Sequence, residues 1–339
     1  MDLAKITATV AAQNESSPIA GRILQADADF FCYQCAHPDE PFSQNFEQIK
    51  KKIEYSRKLA RASHVNVFVT LGLKGGRHQI ATVKPYQDDR GKARSPEMTQ
   101  RVRELRTALS TYTTSRITPI VCTKEEADDV ICRMQNKQIA LNGLQSSVIM
   151  SDDKDLWMVQ GLHVNSQTGE IRNAQGYGVT LYKDVGNKEP KLVGLGTSWF
   201  WHQMIMGDGA DTIPGLPFLS ARLANRYLPL KTHNPNRKPL ACGEAKAVEI
   251  LRDVNNDAEA FQRVYEAYRD WYGEQADDMF FEQAYLLWMR RTNKLLDCME
   301  FLRPLGFKYE LLPYRKEQLK RFLDLVKLQE EQSAVHHPN

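Results

Sequence analysis

The sequence predicts an α/β fold, a central and mostly parallel sheet flanked by helices, continued by a helical C-terminal region. Short β-branched or apolar runs alternate with helical patterns through the first half, as expected of parallel strands joined by crossover helices. Beyond residue 197 the strand-like runs give way to 3.6-residue periodicity. Acidic residues cluster directly after several of the strand-like runs, where an open α/β sheet presents its binding groups.

In chain order, residues 22–26, 65–70, 119–122 and 147–150 read as strands. Residues 46–62, 96–109 and 125–141 carry apolar side chains three and four apart and read as the intervening helices. Residues 161–196 shift to Gly, Asn, Thr, Tyr and Val, which reads as a β-hairpin or an extended connection. Helices are then expected over residues 199–206, 242–252, 258–272, 280–298 and 315–329. Residues 231–239 form a polar, Pro-containing loop, no internal repeat is visible, and residues 333–339 are expected to be a disordered tail.

At 339 residues the chain exceeds one minimal core and can hold a larger domain with a smaller module. The net charge of +3 excludes an overall polycation, so any nucleic-acid-binding bases must be segregated from an acidic site. The N-terminus lacks a basic start followed by an apolar stretch, and no apolar run approaches the roughly 20 residues of a membrane span. A cytoplasmic protein with reduced thiols is the expectation. Cys32 and Cys35, with His37 nearby, have zinc-like spacing, but no second pair completes a site and buried thiols are the simpler reading.

The acids carry the chemistry. Asp27 and Asp29 follow the first strand, Glu125, Glu126, Asp128 and Asp129 follow the third, and Asp152, Asp153 and Asp155 follow the fourth. Carboxylates concentrated in this way repel one another and call for cations, and oxygen-only ligands select hard ions such as Mg²⁺ or Mn²⁺. Each group also has a plainer reading. Thr123 and Glu126 have capping-box spacing, and residues 152–155 suit a solvated turn. A fourth group, Asp208 and Asp211 within Met206-Gly-Asp-Gly-Ala-Asp-Thr-Ile-Pro-Gly215, is three residues apart and sits among turn formers.

The motifs Asp27, Glu126-Ala127-Asp128-Asp129, Ser151-Asp152-Asp153-Lys154-Asp155-Leu156 and Gly207-Asp208-Gly209-Ala210-Asp211-Thr212-Ile213-Pro214-Gly215 occur in this order. Together they resemble the 5′-nuclease family of flap endonucleases and 5′→3′ exonucleases, most of all its phage-type members. The resemblance implies a PIN-like catalytic domain over residues 1–196, with a helical arch over about 84–116. It also implies a helical DNA-binding region over residues 197–332, containing a helix-hairpin-helix element. By the same resemblance Asp27, Glu126, Asp128, Asp129, Asp153, Asp155, Asp208 and Asp211 would be catalytic, holding two or more Mg²⁺ or Mn²⁺ ions. Asp29 is not a usual ligand. A further family Asp after the second strand is absent, since the stretch reads Val69-Thr70-Leu71-Gly72, and the arch motif Tyr-Lys-x-x-Arg carries Gln87 in place of its lysine.

The implied substrate is duplex DNA with 5′ ends or 5′ flaps, extending to RNA–DNA hybrids, in a monomer that works beside replication proteins in the cytoplasm of a cell or phage host. Residues 74–116 hold many more bases than acids. Arg77, Lys84, Arg90 and Lys92 are expected on strand phosphates, with Tyr86 stacking on a base. Gly215, Gly243 and Lys246 would serve the helix-hairpin-helix element, to which the family adds a K⁺ ion. The plainer reading of those bases is a solvated helix face. Trp199, Trp201 and His202 are expected to pack the helical region.

Other readings compete. The absent Asp and Gln87 suit a catalytically weakened DNA-structure binder. Asp27-Ala28-Asp29 followed later by G-D-x-x-D also resembles haloacid-dehalogenase phosphatases, which attack through an Asp. That family, however, carries neither E-A-D-D nor a helical DNA-binding module. An RNA-directed PIN-like nuclease would instead depend on the 2′-hydroxyl.

Overall fold

A computed structural model describes residues 17–88, 95–183, 190–229 and 233–336. The chain divides into two compact units. One comprises Met1–Gly72, Ala93–Gln175 and Met289–Asn293, the other Leu73–Lys92, Gly176–Trp288 and Lys294–Asn339. Among the described residues no helix is long and apolar enough to cross a membrane.

The first unit is built on a six-stranded sheet. Its strands are β1 (Ile19–Asp27), β2 (Ala62–Thr70), β3 (Ile117–Cys122), β4 (Ser147–Met150), β5 (Gly161–Val164) and β6 (Ile171–Ala174), in the order β3-β2-β1-β4-β5-β6. All neighbours are parallel except β5 and β6. β1 is central and buried, and Gln25 spends its amide within the sheet. Its Nε2 donates to Ser147 Oγ at 3.0 Å, and its Oε1 accepts from Asn66 Nδ2 at 3.0 Å. The strands' Leu24, Ala26, Val65, Val67, Val69, Val148 and Met150 share one core with Ile49 and Ile53 of helix Phe42–Leu59.

Helix Pro96–Leu109 joins that core through Val102, Leu105 and Leu109, an i, i+3, i+7 stripe. The stripe seats this helix in the layer beside the sheet; of the arch expected over about 84–116, residues 89–94 lie outside the described residues. Its Arg101 donates to the carbonyls of His37 and Glu40, at 3.2 and 2.8 Å. Residues 161–196 are likewise more than one hairpin. β5 and β6 complete the sheet, whereas Val179–Lys183 and Lys191–Leu195 form a separate antiparallel pair in the second unit.

The second unit is otherwise helical. Helix Thr197–Met206 is buried almost throughout, and its Trp199 and Trp201 pack as the sequence suggests. Trp201 Nε1 donates to Asp257 at 2.8 Å, at the start of helix Asp257–Tyr272. The helix expected over residues 280–298 stops at Leu287, because Trp288 is extended and Met289–Asn293 joins the first unit. In the expected helix-hairpin-helix region, helices Ala221–Tyr227 and Glu244–Ile250 flank an antiparallel pairing of Phe218–Leu219 with Leu240–Ala241. Helix Pro313–His336 continues through residues 333–336, where a disordered tail was expected, and residues 337–339 lie outside the described residues.

Candidate metal centre

The parallel strands β1, β3 and β4 end on one edge of the first unit's sheet, and each hands over to acids. Asp27 is the last residue of β1 and caps helix Ala28–Cys35, accepting from Phe30 N at 3.3 Å. Ser151, just past β4, donates through Oγ to Asp27 Oδ2 at 2.8 Å and accepts from Asp153 N at 3.0 Å. One serine thus ties the acids of two strand ends together. Asp153 accepts from Asp155 N at 2.9 Å and opens the 3₁₀ turn Lys154–Met158, and Lys154 Nζ lies 3.0 Å from Asp155 Oδ1.

After β3, helix Ala127–Asn142 begins at Glu126, whose side chain makes no capping bond, so the capping-box alternative is not realised. Instead Thr70 Oγ1, at the end of β2, accepts from Ala127 N at 3.0 Å. A hydroxyl at the end of β2 thus fixes the start of the acidic helix. Asp29 accepts from Thr70 N at 3.2 Å and pairs with Arg106 at 2.9 Å, in keeping with a supporting rather than ligating position.

These carboxyls perturb one another. Burial, then Asp29 and Asp153, push the Asp27 carboxyl up to about 7, against the hydrogen bonds from Ser151 and Phe30 that favour its charge. Burial, then Asp153, Asp27, Glu126 and Asp29, hold Asp128 well above the ordinary carboxylate range. Asp27, Glu126, Asp128 and Asp153 are therefore electrostatic neighbours whose negative charges repel one another. An oxygen-only donor set of this kind fits a hard divalent cation, whose charge would favour the ionised carboxylates again.

Asp129 departs from the expectation of a ligand. It is fully buried, and both of its oxygens are engaged by Arg290. Arg290 N donates to Oδ1 at 3.0 Å, and Nε and Nη2 donate to Oδ2 at 3.1 and 2.9 Å. A charge-assisted pair of this geometry is a structural anchor.

In the second unit, the tight turn of Gly207–Gly215 presents Asp208 and Asp211, with carboxylate oxygens within 4.8 Å of each other. Asp208 and Ile213 exchange two backbone hydrogen bonds of 2.8 Å. Gly207 is required here, because φ is 73° and a Cβ would lie 2.3 Å from the Ile213 carbonyl oxygen. Asp211 is held on both oxygens, by Tyr86 Oη at 3.0 Å and Gln87 Nε2 at 3.3 Å, and its carbonyl accepts from Gln87 N at 2.9 Å.

The residues expected on DNA fare unevenly. Tyr86 is only 4% exposed and supports Asp211, so its ring is not presented for stacking. Arg77 is 1% exposed and donates to the carbonyls of Leu286 and Trp288, at 3.1 and 3.0 Å, so its charge is spent inside the fold. Gly215 N donates to Gln283 Oε1 at 3.0 Å instead of facing solvent. Lys84 is exposed, Gly243 and Lys246 lie at the start of helix Glu244–Ile250, and Arg90 and Lys92 fall outside the described residues. Burial pushes the Cys32 and Cys35 thiols up, as suits inert buried cysteines. The supporting residues Ser151, Thr70 and Arg290 were not singled out from the sequence. The serine alone left a local trace, within its S-x-D motif.

No family model and no curated protein matches the chain. Solved structures do. A pseudo-enzyme–product complex of the bacteriophage T5 D15 flap endonuclease with DNA and metal ions is 13% identical, with a TM-score of 0.51 over 90% of this chain and 99% of that one. The T5 5′-exonuclease with bound zinc ions is 14% identical, with a TM-score of 0.51 over 89% and 98%. The chain shares the mixed α/β fold of these phage nucleases, as the motif order anticipated.

Proposed function

We propose that the chain is a divalent-metal-dependent 5′-nuclease, hydrolysing phosphodiesters of duplex DNA from 5′ ends, with 5′-flap cutting as the same chemistry on a branched substrate. The observation that carries this reading is the convergence of Asp27, Glu126, Asp128 and Asp153 at the carboxyl ends of β1, β3 and β4. It stands on a fold shared with a nuclease described in complex with DNA and metal ions. Asp27, Glu126, Asp128, Asp153 and Asp155 of the first unit, and Asp208 and Asp211 of the second, would hold Mg²⁺ or Mn²⁺. Bound ions of this kind supply a more acidic water and stabilise charge on the leaving oxygen.

The chain's own contribution is orientation. Ser151 keeps Asp27 and Asp153 in register, Thr70 holds the helix start that carries Asp128, and Tyr86 and Gln87 aim Asp211. A second reading, the weakened DNA-structure binder, is favoured by Gln87, which stands in place of a lysine and is occupied with Asp211.

The two readings separate on duplexes labelled at either the 5′ or the 3′ end, with and without a 5′ flap, in Mg²⁺ or EDTA. Short products released from the 5′ label only, and only in Mg²⁺, support the nuclease. Tight binding without products, in Mg²⁺ and in Mn²⁺, supports the binder.

A further inference from the structure

The segment of residues 125–129 reads Glu-Glu-Ala-Asp-Asp, and the structure sorts these acids by side. Glu125 and Asp129, four apart, turn toward arginines. Glu125 accepts from Arg133 and lies 4.0 Å from Arg290, while Asp129 Oδ2 accepts from both Nε and Nη2 of Arg290. Glu126 and Asp128 instead share their field with Asp27 and Asp153. Within helix Ala127–Asn142, Asp128 is turned by about 100° from Asp129.

We infer that Arg290 is a positioning residue, which acts through Asp129 to fix the helix start presenting Asp128, and that Asp129 is not itself a ligand. The inference deepens the nuclease reading and rests on it for the role of Asp128. Three features carry it. Asp129 is fully buried, so its charge has to be met inside the fold. Arg290 meets it with a backbone amide as well as the guanidinium, so Met289–Asn293 is locked to this helix and not merely near it. The neighbouring contact of Cys132 Sγ with the Met289 carbonyl, at 3.8 Å, continues the same seam one turn on. The interruption of the helix after Leu287 thereby gains a purpose, since a continuous helix could not deliver both the amide and the side chain of residue 290.

The test compares the full-length wild type with Arg290→Met, with the paired Asp129→Leu/Arg290→Met, and with Asp128→Asn. It reads Mn²⁺ stoichiometry by electron paramagnetic resonance, amide hydrogen exchange over residues 123–132, and DNA cleavage. Arg290→Met should lose exchange protection at the helix start and lower kcat at least tenfold with little change in KM. The paired variant, which removes both charges together, should regain protection, bind as many Mn²⁺ ions as the wild type and recover kcat to within about fivefold. Asp128→Asn should bind fewer ions while keeping its protection. A paired variant that loses an ion as Asp128→Asn does would overturn the inference and make Asp129 a ligand. Unchanged exchange in Arg290→Met would overturn the positioning role, whatever the activity. A wild type that binds no Mn²⁺ would sink the nuclease reading instead, with exchange still deciding whether Arg290 holds the helix.

Discussion

Asp27→Asn should stabilise the metal-free protein while abolishing cleavage. Asn keeps the shape of Asp and both local hydrogen bonds. Its Oδ1 can still accept from Phe30 N, and its amide can donate to Ser151 Oγ in place of the present bond. What the substitution removes is a buried charge among Asp29, Asp153 and Asp128. The Asp27 carboxyl rises from 3.8 to about 7 on folding. The folded state therefore binds this proton more tightly than the unfolded chain, and ionisation penalises folding. The penalty is absent below about pH 4, grows between 4 and 7, and is complete above 7. Three pH units correspond to about 4 kcal/mol, which for a chain of this length is a rise in melting temperature of roughly 5 °C. Thermal melts in EDTA at pH 8 should show that rise in Asp27→Asn, and melts at pH 4.5 should shrink it to about a quarter. Added Mg²⁺ should stabilise the wild type more than the variant. An Asp27→Asn protein equal to or less stable than wild type at pH 8 in EDTA would refute the electrostatic argument.

Other perturbations probe the supports. Thr70→Val leaves the buried Ala127 amide without its acceptor and should cost about 1–3 kcal/mol in urea unfolding, whereas Thr70→Ser should be nearly neutral. Gly207→Ala places a Cβ against the Ile213 carbonyl at positive φ and should destabilise by about 3 kcal/mol or prevent folding. Gln87→Ala removes the amide's bond to Asp211 Oδ1 and should lower cleavage roughly 10–100-fold while leaving DNA affinity nearly unchanged. A parallel loss of affinity there would mean that Gln87 touches the substrate.

What could be read from the sequence was what is local. Helix Pro96–Leu109 has the expected bounds, because the apolar stripe that defines it lies within one short window. The strand-end acids were legible because a parallel sheet sends its carboxyl ends to one edge. Pairings set by distant residues were not legible. Arg290 and Asp129 are 161 positions apart, and the helical periodicity of residues 280–298 gives no sign that the chain leaves the helix at Trp288 to make that bond. Arg77 and Tyr86 read as DNA contacts because a base and an aromatic near an acidic site suit that role, yet burial commits both to the interior. Charge and type are local properties, but exposure is decided by the whole fold.

The central claim is that the acids at the strand ends perform metal-dependent hydrolysis at a DNA 5′ end. The most direct measurement is release of label from a 5′-labelled duplex by wild type and by Asp153→Ala, each in Mg²⁺ and each confirmed to be folded by circular dichroism. Release by wild type should fall at least a thousandfold in Asp153→Ala, while binding to the same duplex persists. Equal release by the two proteins, or none by wild type in either Mg²⁺ or Mn²⁺, would contradict it.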